Sequence, residues 1–580
     1  MSDLQATIEA RLSAALAKAF DLKPGEIDPV IHPTADRRFG DYQANVAMGL
    51  ARQLKRNPRE VAGQIVAALD PAGLFSRIEI AGPGFINLTL TDAALAEHIG
   101  AMHGDERLGV PRDLHSRRVV VDYSGPNVAK EMHIGHLRST CIGDAIARIL
   151  RHLGHEVIGQ NHLGDWGTQF GMLIQFLNES PDVDRGAIAD LNAFYQAAKR
   201  RFDEDAAFAD RARARVVALQ SGDDATLAAW RELVRISTQH FDAIYGRLGI
   251  DGELLEYRGE SVYNDDLDRL VDELERAGLL VESEGALVVR PEGFRGRDGE
   301  PMAMIVRKRD AAYLYATTDL AAARYRLGPL GADWIVYVTD ARQSQHFAMV
   351  FATLKAAGWV ADGVRLDHVP FGTILGPDRK PFKTRTGGTV RLDDVLDEAE
   401  ERAFRIVAAK SSELPQAEKR RIAHVVGVGA LKYADLASER IRDYVFDWDR
   451  MLALDGNTAP YLLNAYVRIR SLFRKAREEG IEPDQGARLL VTEPAERALA
   501  LALLELPRVI RGVADSLEPH RLCNYLYTLA SAYHRFYESC PVLTAPDDRR
   551  RQSRLLLSEL TATTLGTGLG LLGIETVEQM

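Results

Sequence analysis

The pattern of apolar and polar positions divides the chain into three regions, and the first of them is a short mixed unit. An amphipathic stretch from Leu4 to Phe20 predicts a helix. Two apolar runs joined by a Gly-Pro-Gly turn, Arg77–Ile80 and Phe85–Leu90, predict a β-hairpin. We therefore expect an α+β domain over residues 1–110, followed by a polar linker.

The middle region, residues 117–392, alternates between strand and helix patterns. The β-branched run Arg118–Ser124 predicts a buried strand, and an apolar stripe from Leu137 to Leu153 predicts the helix after it. Three further segments are strand-like: Glu156–Asn161, Tyr313–Ala316 and Trp334–Val338. A charge-rich helical segment at about 180–250 interrupts them as an insertion. This alternation predicts a split parallel sheet, which binds ligands at the carboxyl ends of its strands.

From Asp393 onward the pattern is almost entirely helical. The clearest break is Gly456–Pro460, so we expect a helical connector at 393–455 and a separate all-α helical bundle at 456–580. The predicted fold class is accordingly a multidomain α/β protein with one parallel-sheet domain between an α+β and an all-α domain.

Composition narrows the class of protein. The chain has 580 residues, a net charge of −11 and three scattered cysteines. Isolated thiols argue against a zinc knuckle or a disulfide framework and favour a reducing compartment. Because the start, Met1–Gln5, is neither basic nor apolar and no apolar run is long enough to span a bilayer, we expect a cytoplasmic protein without membrane contact. The negative charge excludes a uniformly basic RNA-binding coat but not a local basic stripe.

The first candidate site is the tetrapeptide His133-Ile-Gly135-His136 at the predicted start of a helix. A helix N-terminus offers free N–H groups and a partial positive charge, which suit phosphate. With Lys130 just before it, the segment suits a polyphosphate whose charge grows during reaction. Two alternatives stay open here: two histidines three positions apart also suit a metal, and they are also ordinary polar residues at a helix start.

Other candidates follow predicted strands. The glycine-rich loop His162–Gln169 suits either close approach of the backbone to a ligand or a tight turn with Trp166 in the core. Glu260, Asp319 and Gln343 fall near strand ends of the same sheet and together would bind a cation. Taken singly, Asp319, Gln343 and His346 are also helix-capping candidates, and Glu260 is also an ordinary loop acid.

Two basic segments remain. Lys380–Gly388 suits a loop that closes over phosphates, or else an exposed basic hairpin. Arg468, Arg470 and Arg474 share one predicted helix with interleaved aromatic residues, which is typical of a solvated face or of an RNA-facing stripe.

Taken together, these motifs resemble those of the arginyl-tRNA synthetases, which are class I aminoacyl-tRNA synthetases. The resemblance covers essentially the whole chain and is carried, in the family's order, by DYSGPNVAKEMHIGHLRS at 122–139, HLGDWGTQFG at 162–171, GES at 259–261, QSQHF at 343–347, KPFKTRTGGTV at 380–390 and GNTAPYLLNAYVRIRS at 456–471. It implies an N-terminal domain that touches the tRNA D-loop, a Rossmann-type catalytic domain and a helical anticodon-binding domain.

The implied reaction has two steps. The carboxylate of L-arginine attacks the α-phosphate of ATP to give arginyl-adenylate, and the terminal ribose of tRNA(Arg) then takes the arginyl group. Family members generally need bound tRNA for the first step. The implied cofactors are ATP and Mg²⁺, with Mg²⁺ held mainly by ATP and water and no dedicated protein metal site. We expect a monomer.

The resemblance also implies residue roles. The implied catalytic residues are Lys130, His133, His136 and Lys383, and the implied ATP-binding residues are Gly135, His133, His136, Lys380, Lys383 and Arg385. The implied arginine-binding residues are Asp122, Ser124, Asn127, Glu260, Tyr315, Asp319 and Gln343. For tRNA the candidates are Phe39, Tyr42 and Gln43 at the D-loop, with Phe39 or Tyr42 stacking on a base, and Arg468, Arg470 and Arg474 in the last domain.

The chain departs from the family at the second class I signature, usually KMSKS. Read as KPFKT, the segment makes Lys383 the catalytic lysine; read as PFKTR, it places Thr384 there and leaves Lys130 to supply the charge. Two other functions compete with the synthetase. One is a HIGH-type nucleotidyltransferase acting on a small molecule, and the other is a non-catalytic tRNA-binding paralogue. Pyrophosphate exchange with and without tRNA separates all three.

Overall fold

The N-terminal region is built on a four-stranded antiparallel sheet. The computed structural model describes residues 3–34, 36–180, 191–250, 252, 255–309, 312–382, 390–411 and 413–580. The sheet has the strand order β1-β2-β4-β3, and Leu88 of the central strand lies opposite Tyr42 and Ile78. The elements are α1 (Leu4–Phe20), β1 (Ile31–Pro33), β2 (Tyr42–Ala44), α2 (Val46–Leu54), α3 (Pro58–Ala68), β3 (Phe75–Ala81), β4 (Phe85–Leu90) and α4 (Asp92–His103). The predicted first helix and hairpin are confirmed.

The middle region contains a five-stranded parallel sheet of order β12-β11-β5-β6-β7. Its elements up to the seventh strand are β5 (Arg118–Asp122), α5 (Ile134–His152), β6 (Glu156–Asn161), α6 (Gln169–Asn178), α7 (Leu191–Glu204), α8 (Ala206–Gln220), α9 (Asp224–Leu248) and β7 (Leu255–Tyr257). Helices α7 to α9 fall within the predicted insertion. Since β5 is central and Val119–Val121 are fully buried, its uninterrupted apolar run fits a strand covered on both faces.

The second half of this region adds a three-stranded antiparallel sheet that the sequence pattern did not predict. The elements are α10 (Asn264–Arg276), β8 (Leu280–Ser283), β9 (Ala286–Val289), β10 (Met304–Arg307), α11 (Tyr315–Leu327), β11 (Trp334–Asp340), α12 (Ser344–Ala356), β12 (Arg365–Phe371) and β13 (Ile374–Leu375). Strands β8 to β10 form a separate three-stranded sheet.

The prediction of a strand at Tyr313–Ala316 is wrong. The alternating Tyr-Leu-Tyr imitates a strand, but only Tyr313 makes an isolated bridge, to Arg307. Leu314 is extended and its carbonyl accepts the N–H of Thr317, so that Tyr315 opens α11. Asp319 therefore lies inside the helix, one turn after Tyr315, and the interpretation of Asp319 as an N-cap is also wrong.

The last region is helical, as predicted. Its elements are α13 (Leu392–Lys410), α14 (Gln416–Leu436), β14 (Tyr444–Val445), α15 (Trp448–Met451), α16 (Ala459–Glu478), α17 (Pro494–Leu503), α18 (Leu506–Ser516), α19 (His520–Ser539) and α20 (Asp548–Leu571). The short β14 pairs with β13 of the middle region. The multidomain α/β fold class is thereby confirmed.

Candidate active site

Three motif segments meet at the carboxyl ends of β5, β6 and β7. Asn127, after β5, forms a parallel bridge with Gly164, after β6. The N–H of Glu260, after β7, donates to the carbonyl of Leu163 at 3.0 Å. Parallel strands bring the loops that follow them to one edge of the sheet, which is where α/β proteins bind ligands.

Glycine is required at two points where these loops touch. A Cβ on Gly164 would lie 2.3 Å from Oδ1 of Asn127, and one on Gly259 would lie 2.0 Å from Oδ2 of Asp165. Asp165 in turn accepts the N–H of Ser261 at 2.9 Å and its hydroxyl at 2.7 Å. The HLGDWG loop thus fixes the GES segment, and its Gly164 packs closely against the Asn127 side chain.

The two histidines of the HIGH segment are oriented by the backbone at the start of α5. His133 is the N-cap, and its Nδ1 accepts the N–H of Gly135 at 3.1 Å. The Nδ1 of His136 accepts the N–H of His133 at 3.0 Å, and the two rings lie 3.9 Å apart. Since Nδ1 is an acceptor in both rings, each neutral imidazole carries its proton on Nε2 and offers one N–H donor.

Both histidines are neutral at physiological pH. Burial, with a smaller contribution from Lys130, lowers the pKa of His133, and burial together with His133 lowers the pKa of His136 to about 3. A neutral ring donates one hydrogen bond through Nε2–H without adding a full charge. Gly135 between them is exposed, so the helix N-terminus is accessible.

Two lysines of the motif segments have exposed side chains. Lys130 is exposed, and its Nζ lies 4.9 Å from the ring of Tyr195 in the insertion helix α7. Lys380 is also exposed, in a turn where the N–H of Gly376 donates to the Lys380 carbonyl at 2.7 Å. Lys383 and Arg385 lie outside the described residues. Val390, which follows them in the chain, accepts the N–H of Ile134 at 3.0 Å through its carbonyl.

An acidic pair forms the second half of the candidate site. Burial, followed by the nearby negative charges of Asp319 and Asp165, raises the pKa of Glu260 to about 7. Asp319 lies 2.6 Å from Nε2 of His346. The ring of Tyr315 lies 5.1 Å from that imidazole and is 65% exposed. Gln343 is exposed immediately before α12 and makes no capping hydrogen bond with its side chain.

Two predicted arginine-binding residues are held by internal contacts. Asp122 forms a 2.7 Å ion pair with Arg326, a fully buried guanidinium that also donates to Gln160. The hydroxyl of Ser124 lies 2.6 Å from the Tyr245 hydroxyl. Both side chains are buried, whereas Asn127 is exposed at the site. Asp122 and Ser124 therefore lie below the exposed surface of the site, where their side chains contact Arg326 and Tyr245.

The predicted N-terminal RNA contacts separate into exposed and buried residues. Phe39 is 47% exposed, whereas Tyr42 is 1% exposed and its hydroxyl donates to Glu505 at 2.8 Å. Because the Tyr42 ring is buried, a nucleotide base cannot stack on it. The prediction that Tyr42 stacks on a D-loop base is therefore wrong, and Phe39 is the exposed aromatic candidate. Gln43 is half-buried and donates to Asn87 at 2.8 Å.

The three predicted arginines of the last domain lie on α16, and two of them contact the chain end. Arg470 forms a 2.9 Å ion pair with Glu578, and Arg474 donates to the Glu578 carbonyl at 2.8 Å. Arg468 lies over the ring of Tyr537 at 5.6 Å. Arg470 also lines an open cleft of about 720 Å³ beside Tyr466 and Phe473.

Three residues of the site were missed as individual assignments. Asp165 and Arg326 act through partners distant in sequence, Ser261 and Asp122, and no local pattern announces such pairs. His346 was interpreted from the sequence only as a capping candidate beside Gln343, although its place in the QSQHF segment was a usable signal. Among the described residues, no group of three His, Cys, Asp or Glu side chains is arranged to hold a metal ion. No helix in the described ranges is long and apolar enough to cross a membrane.

Comparison with known proteins agrees with this geometry. Three family models match: "tRNA synthetases class I (R), catalytic domain" at residues 99–448, "DALR anticodon binding domain" at 462–580 and "Arginyl tRNA synthetase N terminal domain" at 6–90. The arginine–tRNA ligase of Laribacter hongkongensis is 51% identical over 98% of both chains, and that of Thermobifida fusca is 51% identical over 100% of both.

Solved structures match over the same length. The arginyl-tRNA synthetase of Plasmodium falciparum superimposes with a TM-score of 0.86 at 29% identity, covering 100% of both chains. That of Thermus thermophilus gives a TM-score of 0.81 at 26% identity, covering 99% of this chain and 100% of its own. With matches of this extent in sequence and in structure, the chain belongs to the bacterial-type arginyl-tRNA synthetases of class I.

Proposed function

We propose that the HIGH segment binds the phosphates of ATP while the acidic pair Glu260–Asp319 binds the guanidinium of L-arginine. The observation that carries this division is the spatial arrangement: neutral Nε2–H donors and Lys130 at one helix N-terminus, and two carboxylates beyond the adjoining strand ends. Arginine bound by its side chain at the acidic end would extend its carboxylate toward the α-phosphate.

His133 and His136 are proposed as donors to phosphate oxygens that gain charge as pyrophosphate leaves. Donors already fixed by backbone hydrogen bonds need no reorganisation during the step, which favours the transition state over bound ATP. Gly135 leaves the helix N–H groups open to the same oxygens.

The lysines are proposed to neutralise the leaving pyrophosphate. Lys130 and Lys380 are exposed. Lys383 and Arg385, which lie outside the described residues, are proposed to act with them. Because the described residues offer no cluster of metal ligands, we propose that Mg²⁺ is carried by the phosphates of ATP and by water.

Recognition of arginine is proposed to rest on the match between a planar fork of N–H donors and two carboxylates. Tyr315 and Gln343 are exposed, one turn before Asp319 and three residues before His346, and are proposed to complete the pocket wall. Asn127, exposed after β5, is proposed to bind the α-amino end. Asp122 and Ser124 support the loop from below. A neutral isostere such as citrulline would leave the buried acids unpaired and would be rejected without editing.

The tRNA contacts are proposed on two separate surfaces. Phe39 stacks on an unpaired D-loop base, with Gln43 beside it, and Arg468, Arg470 and Arg474 line the anticodon-binding helix α16. The domain division into 1–110, 117–392, 393–455 and 456–580, a monomeric state and a cytoplasmic location complete the proposal. Light scattering coupled to gel filtration tests the monomer directly.

The deciding experiment for the site is steady-state charging with variants at each end. His136→Ala should lower kcat, and Asp319→Ala should raise KM for arginine. If both variants only raise KM for ATP, the division between a phosphate end and a guanidinium end is wrong.

A further inference from the structure

The segment Arg37–Tyr42 passes from exposed to buried residues at a single glycine, Gly40. Arg37, Arg38 and Phe39 form an exposed 3₁₀ turn, whereas Asp41 and Tyr42 are 3% and 1% exposed. Gly40 between them has φ of +89°, and a Cβ there would lie 2.7 Å from the Leu88 carbonyl oxygen. The exposed turn is therefore attached rigidly to whatever holds Asp41 and Tyr42.

Both residues belong to the N-terminal sheet, where the Asp41 N–H donates to the Leu88 carbonyl at 2.8 Å. The helical domain, more than 400 residues away in sequence, adds contacts to both side chains. Arg497 of α17 donates to Oδ2 of Asp41 at 2.6 Å and to the Leu90 carbonyl at 2.8 Å, while another nitrogen of the same guanidinium donates to Asp92 at 2.6 Å. Arg497 thus joins Asp41, before β2, to Leu90 and Asp92, at the end of β4, through one planar group. Lysine has no equivalent fork.

Asp41 is well placed to transmit this contact. Its Oδ2 also accepts the N–H of Leu90 at 2.8 Å, so the carboxylate joins β2, β4 and α17 at one point. Beside it, the Tyr42 hydroxyl donates to Glu505, which lies between α17 and α18. A second bond from Arg511 of α18 to Asp3 ties the first helix to the same domain.

We propose that Asp41 and Arg497 are a positioning pair for tRNA, which fixes the exposed turn Arg37–Phe39 in register with the anticodon-binding domain. This inference rests on the proposed binding of tRNA through both end domains. One rigid RNA must meet both surfaces at once, so a turn that is free to swing would lose the advantage of simultaneous contact. Arg497 does not contact RNA itself and acts by positioning the turn Arg37–Phe39.

The test compares Arg497→Gln with Arg521→Gln. Arg521 lines an interdomain cleft of about 580 Å³ together with Asp41 and Tyr42. It pairs with Glu518 of its own domain, so its loss removes the same charge without removing a bond to the N-terminal domain. Arg497→Gln should raise KM for tRNA about tenfold at unchanged kcat and unchanged KM for arginine, since the effect is on binding alone. Arg521→Gln should change KM for tRNA less than twofold.

Two readouts separate positioning from general damage. Thermal unfolding must show that Arg497→Gln is folded at the assay temperature, and Arg497→Lys, which keeps the charge but not the fork, should give an intermediate KM. Arg497→Gln and Phe39→Ala together should raise KM less than the product of the single effects, because both act on one contact.

Different results would overturn the positioning pair and the proposed stacking of Phe39. Equal KM values for Arg497→Gln and Arg521→Gln, or multiplicative effects with Phe39→Ala, would overturn the positioning pair. If Phe39→Ala alone leaves KM for tRNA unchanged, the proposed D-loop stack fails, and the comparison of Arg497→Gln with Arg521→Gln still tests whether the pair sets tRNA affinity.

Discussion

Nε2 of His346 lies 2.6 Å from the carboxylate of Asp319, across the gap between helices α12 and α11. The carboxylate is thereby held at a fixed point in the wall of the proposed arginine pocket, one turn after Tyr315. A carboxylate inside a helix and fastened by an imidazole cannot serve as a cap. The contact leaves it available to a cationic ligand.

The Asp319 carboxylate should therefore be essential for arginine. Asp319→Ala should reduce kcat/KM for arginine by the equivalent of about 2–5 kcal/mol, as expected when one partner of a buried charge pair is removed. Asp272→Ala on the exposed side of α10 is the matched control and should behave as the unmodified protein. Normal charging by Asp319→Ala would show that the pocket lies elsewhere.

Arginine binding should depend on pH through Glu260. Its pKa is raised to about 7 by burial and by Asp319 and Asp165, so below that pH the free protein holds Glu260 protonated and must release a proton to pair with a guanidinium. KM for arginine should therefore rise about tenfold per pH unit below 7 and level off above it. Glu260→Gln should bind weakly with no such slope between pH 6 and about 8. An equal slope in this variant would assign the titration to another group.

Loss of a HIGH histidine should lower the rate of adenylate formation more than it weakens ATP binding. His136→Ala removes a preorganised donor, so kcat for adenylate formation should fall by about 10²–10³ with little change in KM for ATP. His103, far from the site and paired with Glu559 in the helical domain, offers a control in His103→Ala. A pure loss of ATP affinity at normal turnover would contradict the role.

The close packing of Gly259 against Asp165 should fix the position of Glu260 in the arginine pocket. Gly259→Ala forces its new Cβ against the Asp165 carboxylate, so Glu260 must move, and a shift of about 1 Å in a positioned group lowers the rate by about 10²-fold. Gly246→Ala in α9 meets nothing within 4 Å and should be neutral or slightly stabilising. Equal activity of the two variants would refute the packing argument.

Features of the fold and site that depend on neighbouring residues in the sequence were predicted, whereas those that depend on distant residues were not. The strand-turn-helix around His133 was predicted because its signals are local: a β-branched run, a Gly-Pro turn and an amphipathic stripe. Tyr315 was misplaced because alternating aromatic residues imitate a strand, and the helix is decided by the Leu314 carbonyl and by packing.

Tertiary pairs account for the rest. Tyr42 looks like a stacking residue in sequence, but Glu505 and Arg497 of a distant domain bury its segment. Asp122 likewise appears available until Arg326 is found beside it. No pattern within a few residues encodes a partner hundreds of positions away, so the sequence located the site but not the contacts that fix it.

The most direct measurement is pyrophosphate exchange with each amino acid in turn, in the presence and absence of tRNA(Arg), followed by charging of the tRNA. The account predicts exchange and charging with L-arginine alone, none with citrulline, and loss of both in Asp319→Ala. Exchange driven by a different amino acid, or tRNA binding without any exchange, would contradict it.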